Sequence, residues 1–202
     1  MKKHDLEIIK QTLSVLIGQP LRKIDRAGTF VRVNFGDLVE DWCFCKDENG
    51  KLVRGEDGKL IREKILSGRY ALDPVCSVRL TCGDKVILSD SIIQLPNSQL
   101  QGNPDFDWDT FDWNVYGNNA FDEMVSKYVG DEPFEFVVKK VIVSKFGDLT
   151  ITFANGLILE LFANGTDDDA NWRFYDIKSS DEACNLVVVA NGIEKNDETE
   201  GA

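Results

Sequence analysis

A chain of 202 residues, 43% hydrophobic and 29% charged, has the composition of an ordinary globular protein and enough length to bury a sizeable core. Lys and Arg total 23 against 35 for Asp and Glu, a formal net charge of −12, and the one histidine is His4. This balance excludes nucleic acid and anionic membrane as expected partners, since both need a positive footprint. A histidine so near the start is also a poor member of a Ser-His-Asp triad, a Cys-His dyad or a His-rich zinc site.

Leu6, Ile9, Leu13, Leu16 and Ile17 recur at helical spacing and Gly18 with Pro20 supplies a stop, which predicts a helix over 5–17. Its longest apolar run is Val15-Leu16-Ile17, too short for a secretory leader, and no window approaches the ~20 apolar residues of a membrane helix. Five cysteines, at 43, 45, 76, 82 and 184, then read as free thiols in a reducing cytoplasm.

Val31, Val33 and Phe35 alternate with polar residues, predicting a half-buried strand that ends at Gly36-Asp37, with a further strand around Trp42 to Cys45. A short tandem follows, with Asn49-Gly50-Lys51-Leu52 echoed by Asp57-Gly58-Lys59-Leu60, and its two tight-turn pairs predict a protruding hairpin arm over 46–64. Residues 77–88 read as a hairpin about Gly83-Asp84, and 95–119 as a loop rich in Asn, Gln, Gly and Pro. Phe121, Met124, Val125 and Tyr128 mark a second helix, opened by Asn118 or Asn119 and closed by Gly130. Strands are expected at 137–143, 149–153, 157–161, 172–175 and 186–189, the second and third joined by Asn155-Gly156. The acidic end, 194–202, reads as a frayed tail beyond a single domain over 1–193.

The halves echo each other. Residues 22–35 parallel 139–153, and 78–88 parallel 172–188, as either a duplicated β-unit over 18–95 and 134–193 or the chance echoes of a β-rich chain would produce. The expected fold class is α+β, mostly antiparallel sheet, with an N-terminal and a mid-chain helix.

Charge is distributed unevenly. Residues 1–100 carry +2 and residues 101–202 carry −14, and Asp105, Asp107, Asp109 and Asp112 alternate with Phe106, Trp108, Phe111 and Trp113. Either these aromatics pin the loop to the body while the aspartates face water, or they form a recognition hot spot whose carboxylates steer in a basic protein. The two readings differ in aromatic exposure. Asp105, Asp107, Trp108, Asp109, Asp112 and Trp113 are the candidate partner-binding residues.

Other chemistry fits less well. Asp105, Asp107 and Asp109 open like a calcium loop, but Thr110 and Tyr116 replace the Gly and Glu required at the sixth and twelfth positions. Cys43, Cys45, Cys76 and Cys82 lack the C-x2-C spacing of a zinc knuckle and read as small buried core residues. Asn164-Gly165-Thr166 matches a glycosylation acceptor, and with Asp167-Asp168-Asp169 behind it reads as a solvated turn. No cofactor or catalytic residue is indicated.

Tyr70-Ala71-Leu72 with Cys76 and Val78-Arg79-Leu80, then Leu149 to Phe153 with Asn155-Gly156, Leu159 to Phe162, and Trp172-Arg173-Phe174, resembles a widespread group of small acidic bacterial proteins. Some of that group resemble immunity proteins that neutralise toxins used between competing bacteria. The arm at 46–64 and the acidic-aromatic loop at 101–116 depart from the group's pattern; the −14 second half with that loop, taken with the resemblance, leads us to expect a non-enzymatic binding protein, an immunity protein whose acidic second half masks a cationic toxin. The alternatives are an enzyme that uses paired carboxylates on a neutral or cationic small molecule, marked by two carboxylates in a deep pocket, and a subunit of a cytoplasmic assembly, marked by an apolar β-surface self-complementary across a two-fold axis.

Overall fold

The structure is a computed structural model that describes residues 1–45, 47, 52–130, 136–166, 169–178 and 186–194. The Asn49-Gly50 turn, Asp167, Asp168, Cys184 and the tail after 194 lie outside the described residues. Helix α1 (Lys3–Leu13) buries Ile9 and Leu13 and tightens into a 3-10 turn over Ser14–Leu16, after which Gly18 turns the chain at φ 84°. The α-helix is therefore shorter than its apolar stripe predicts, and Ile17 points out, 53% exposed.

Eleven strands follow among the described residues: β1 (Leu21–Ala27), β2 (Phe30–Phe44), β3 (Arg62–Pro74), β4 (Ser77–Cys82), β5 (Lys85–Ser89), β6 (Val138–Val143), β7 (Leu149–Phe153), β8 (Leu157–Phe162), β9 (Ala170–Asp176), β10 (Leu186–Val189) and β11 (Gly192–Ile193). Between β5 and β6 lie a short helix α2 (Ser98–Gln101), inside the segment read as loop, and α3 (Ala120–Tyr128). The strands form two antiparallel sheets, ordered β1-β2-β3-β9-β10-β11 and β5-β4-β8-β7-β6, so the fold is α+β as expected.

The two sheets have one connectivity. From α1 the chain makes a meander β1-β2-β3 in the first sheet and then crosses to lay β4 and β5 in the second; from α3 it makes β6-β7-β8 in the second and crosses back to lay β9 and β10 in the first. The segments whose sequences echo each other, 31–35 with 150–153 and 78–80 with 172–174, occupy the same second and fourth places in their sheets. The sheets also meet where β1 and β6 begin: Pro20 bridges Val137, Gly18 N–H donates to Val138 O at 2.8 Å, and Leu21 N–H donates to Phe136 O at 2.8 Å. One apolar cluster fills the space between them, with Phe35 stacked on Phe153 at 6.5 Å and Trp172 fully buried, its indole N–H donating to Gly147 O at 2.8 Å.

Both crossings converge on Asn171. Its carbonyl accepts from Val75 and Cys76 N–H, both at 2.9 Å, where β3 passes to β4, and its side-chain Oδ1 accepts from Gly165 N–H at 2.8 Å, where β8 passes to β9. It is 1% exposed, and its Nδ2 is buried without a hydrogen-bond partner among the described residues.

β2 does not end at Gly36-Asp37. It bulges there and runs on to Phe44, absorbing the stretch around Trp42 read as a separate strand. Gly36 takes φ 87°, donates its N–H to Pro20 O at 2.9 Å and accepts from Arg22 Nε at 2.5 Å, so the residues that look like a turn are an inserted kink. Gly68 faces that kink, and a Cβ on it would fall 2.6 Å from Phe35 O. Beyond the bulge β2 and β3 continue as a ribbon whose end turns at Gly55 to Lys59, so an arm does project.

Two changes test this frame. Asn171→Ala leaves Gly165 N–H unanswered and should cost about 1–3 kcal/mol in denaturant unfolding. Gly68→Ala forces the bulge against its opposite strand and should cost about 1–3 kcal/mol in the same assay.

Candidate functional site

α3 is capped by Asn119, whose side-chain oxygen accepts from Asp122 N–H at 2.8 Å. That cap places Asp122 inward on the first turn, where it meets Arg26 of β1 in a bidentate pair: Nε to Oδ1 and Nη2 to Oδ2, both at 2.7 Å. Both side chains are 3% exposed. Asn119 Nδ2 and Gly117 N–H each add a bond of 2.9 Å to Oδ2, while Trp113 O accepts from Arg26 Nη2 and Asn119 Nδ2 at 3.0 Å. A buried carboxylate is tolerable only when charge and lone pairs are answered in this way.

This network holds one end of the segment between β5 and α3. The other end is held by backbone pairing, Asn97 N–H to Asn118 O and Ala120 N–H to Leu95 O, both at 2.8 Å, and by Asn97 Nδ2 to Gly117 O at 2.7 Å. Ser98 binds the Glu123 carboxylate through its N–H, at 2.8 Å, and its hydroxyl, and these bonds hold the Glu123 carboxyl below its usual range. The acidic loop is thus closed at its base by the Arg26–Asp122 network on one side and these backbone and side-chain bonds on the other.

Trp113 and Trp108 are separated in role. Trp113 is half-buried against the core, and its carbonyl belongs to the Arg26 network. Trp108 is 62% exposed and makes edge-to-face contacts with Phe106 at 5.2 Å and Phe111 at 5.9 Å, while those two rings meet at 5.5 Å. Asp105, Asp107, Asp109 and Asp112 are all exposed around this cluster. Asp107 Oδ1 accepts from Asp109 N–H at 3.0 Å and Asp112 Oδ1 from Asn114 N–H at 2.9 Å, which shapes the turns. No salt bridge among the described residues includes any of the four. The aromatics therefore differ in exposure: Trp113 packs against the core, and Trp108 stands out on the loop.

The cysteines differ from the expectation of a buried set. Cys76 is buried, and burial pushes its thiol up to about 12, but Cys43 and Cys45 are half-buried on the ribbon and Cys82 is exposed. Among the described residues β1 does not extend alongside Cys43, which the spacing of two could not reveal. Among the described residues no three His, Cys, Asp or Glu side chains converge as metal ligands. A shallow pocket of about 180 Å³ lies between the β1–β2 turn and the β3–β4 crossing, lined by Phe30, Val75, Cys76 and Asp90 among others, and brings in one carboxylate. Among the described residues no helix is long and apolar enough to cross a membrane.

Arg26 and Asp122 were not singled out by sequence reasoning. The signal was present in the alternation, since Arg26 stands two after the buried Ile24 and so shares its inward face, where an arginine requires an acid. Comparison with known proteins adds nothing to this geometry: no family model, curated protein or solved structure matches the chain.

Asp122→Ala removes the acid and leaves Arg26 buried and uncompensated. The expected loss is about 3–5 kcal/mol in thermal or denaturant unfolding, with Trp113 emission shifted to the red as the loop base loosens.

Proposed function

We propose that this chain is a non-enzymatic protein-binding module, an immunity protein that neutralises a cationic bacterial toxin through the surface formed by residues 105–113. The observation that carries the proposal is Trp108, 62% exposed and set among four exposed aspartates, on a loop whose base is fixed by a buried ion pair. A large aromatic ring presented on a held loop offers contact area at low entropic cost, the chemistry of an interface hot spot. The surrounding carboxylates supply a field that accelerates encounter with a basic partner, and speed matters to an inhibitor that must reach a toxin before the toxin reaches its target. The resemblance to small acidic bacterial proteins supports the same reading, and the reducing cytoplasm of the producing cell is where such a protein would act.

The test begins with capture of partners by the tagged chain from a lysate of its own bacterium at low and high salt, followed by stopped-flow association with the basic protein retained. Replacing Asp105, Asp107, Asp109 and Asp112 together by Asn should slow association roughly ten-fold or more at low salt and flatten its salt dependence. Trp108→Ala should act on dissociation, with a loss of about 2 kcal/mol in affinity. Unchanged kinetics in both variants would remove this loop from the interface, and retention of no basic protein would remove the toxin-masking role.

A further inference from the structure

The pocket of about 180 Å³ lies where parts of both sheets come together. Thr29 and Phe30 supply one wall from the β1–β2 turn, Val75 and Cys76 a second from the β3–β4 crossing, and Asp90 a third from the 3-10 turn that follows β5. Each wall is held by bonds already on the chain. Arg26 Nη1 donates to Gly28 O at 3.3 Å beside the first, Val75 and Cys76 N–H donate to Asn171 O at 2.9 Å in the second, and Val78 N–H donates to Asp90 Oδ1 at 2.9 Å in the third. A cavity fixed in this way is formed before a ligand arrives, which lowers the entropy lost on binding.

The charge in the pocket has one sign. Asp90 is the one acidic or basic side chain among the residues that line it, and Cys76 stays a neutral thiol because burial pushes it up to about 12. Among the described residues no salt bridge includes Asp90. Its hydrogen bonds there, from Val78 N–H and from the Ser89 hydroxyl at 3.5 Å, both fall on Oδ1, and Oδ2 carries none. Phe30 and Val75 line the same pocket and yet remain 64% and 47% exposed. A carboxylate oxygen beside two exposed apolar side chains is complementary to a cation that carries hydrocarbon, and the face of an aromatic ring adds attraction for an ammonium group. An anion would be repelled. A metal ion would find a single carboxylate, since no three His, Cys, Asp or Glu side chains converge among the described residues.

We propose that this pocket binds an alkylammonium group, with the nitrogen on Asp90 Oδ2 and the hydrocarbon against Phe30 and Val75. The volume is below the roughly 300–1,000 Å³ of sites for drug-sized ligands, so the occupant is short: a free small amine, or the end of a lysine side chain. Both present the same chemistry to Asp90.

Titration of the full chain, labelled with nitrogen-15, with n-butylammonium chloride tests the proposal by NMR. The expected result is a saturable shift of the Thr29, Phe30 and Val78 amide signals, with affinity lowered roughly ten-fold or more in Asp90→Asn. That variant retains an Oδ1 acceptor for Val78 N–H, and unchanged β7 and β8 signals check its fold. Two controls on the unaltered chain do not depend on any variant. The same shifts with 1-butanol at equal concentration would show that charge plays no part, and the same shifts with potassium chloride at equal ionic strength would show an effect of salt alone. Either result, a response that does not saturate, or unchanged affinity in folded Asp90→Asn would overturn the proposal. Nα-acetyl-lysine methylamide separates the two sources: saturable binding assigns the pocket to a lysine side chain, and its exclusion while butylammonium still binds assigns it to a free amine. Residues 105–113 do not line this pocket, so failure here leaves the capture of a basic protein by the loop to stand or fall separately.

Discussion

Asn171 sits where the chain leaves each sheet for the other, and its carbonyl and side-chain amide oxygen hold both passages at once. Neither half can complete its own sheet: β3 must wait for β9, and β8 must find β4. The crossings are what make the halves one folding object, and they run through a single buried asparagine. Its Nδ2, without an acceptor among the described residues, carries a local cost there, since a buried amide donor left unanswered is unfavourable by itself. The carbonyl and Oδ1 bonds offset that cost by fixing two connections in place.

A second buried polar group does comparable work at the other end. Arg26 reaches from the first sheet to α3 and closes a network through Asp122, Asn119 and Trp113 O. Because a guanidinium fork accepts little angular error, this contact fixes the orientation of α3 as well as its distance. The acidic loop inherits that rigidity at its base, while the cluster of Phe106, Trp108 and Phe111 supports itself by edge contacts nearer its tip. Binding surfaces on loops are useful when the scaffold beneath them is stiff, and here the stiffness comes from a charge pair that is itself out of water.

Much of the fold was legible in the sequence because its signals were local. Leu149, Ile151 and Phe153, then Asn155-Gly156, then Leu157, Leu159 and Leu161 describe β7, its turn and β8 nearly to the residue. Asn119 and Gly130 likewise bound α3. What was not legible depended on strands far away in the chain. Gly36-Asp37 reads as a turn because Gly and Asp favour turns, yet Pro20 and Arg22 hold Gly36 as a bulge inside a continuing strand. The different settings of Trp108 and Trp113 were indistinguishable by composition, since they depend on core packing and on Arg26, 87 residues away in sequence from Trp113. Similarly, Trp42 and Phe44 look like ordinary strand residues until β1 is seen to stop short of them.

The exchange of strands also sets an order on the making of the protein. All strands of the second sheet lie between residues 77 and 162, whereas the first sheet needs β1 at its start and β9 to β11 at its end. A chain growing from the ribosome at about 5–20 residues per second can close the second sheet first. Meanwhile β3 leaves its 70–74 edge unpaired for the time taken to synthesise about a hundred further residues. An open edge of that kind recruits foreign strands, so the nascent protein is most exposed to misassembly in the seconds before β9 arrives.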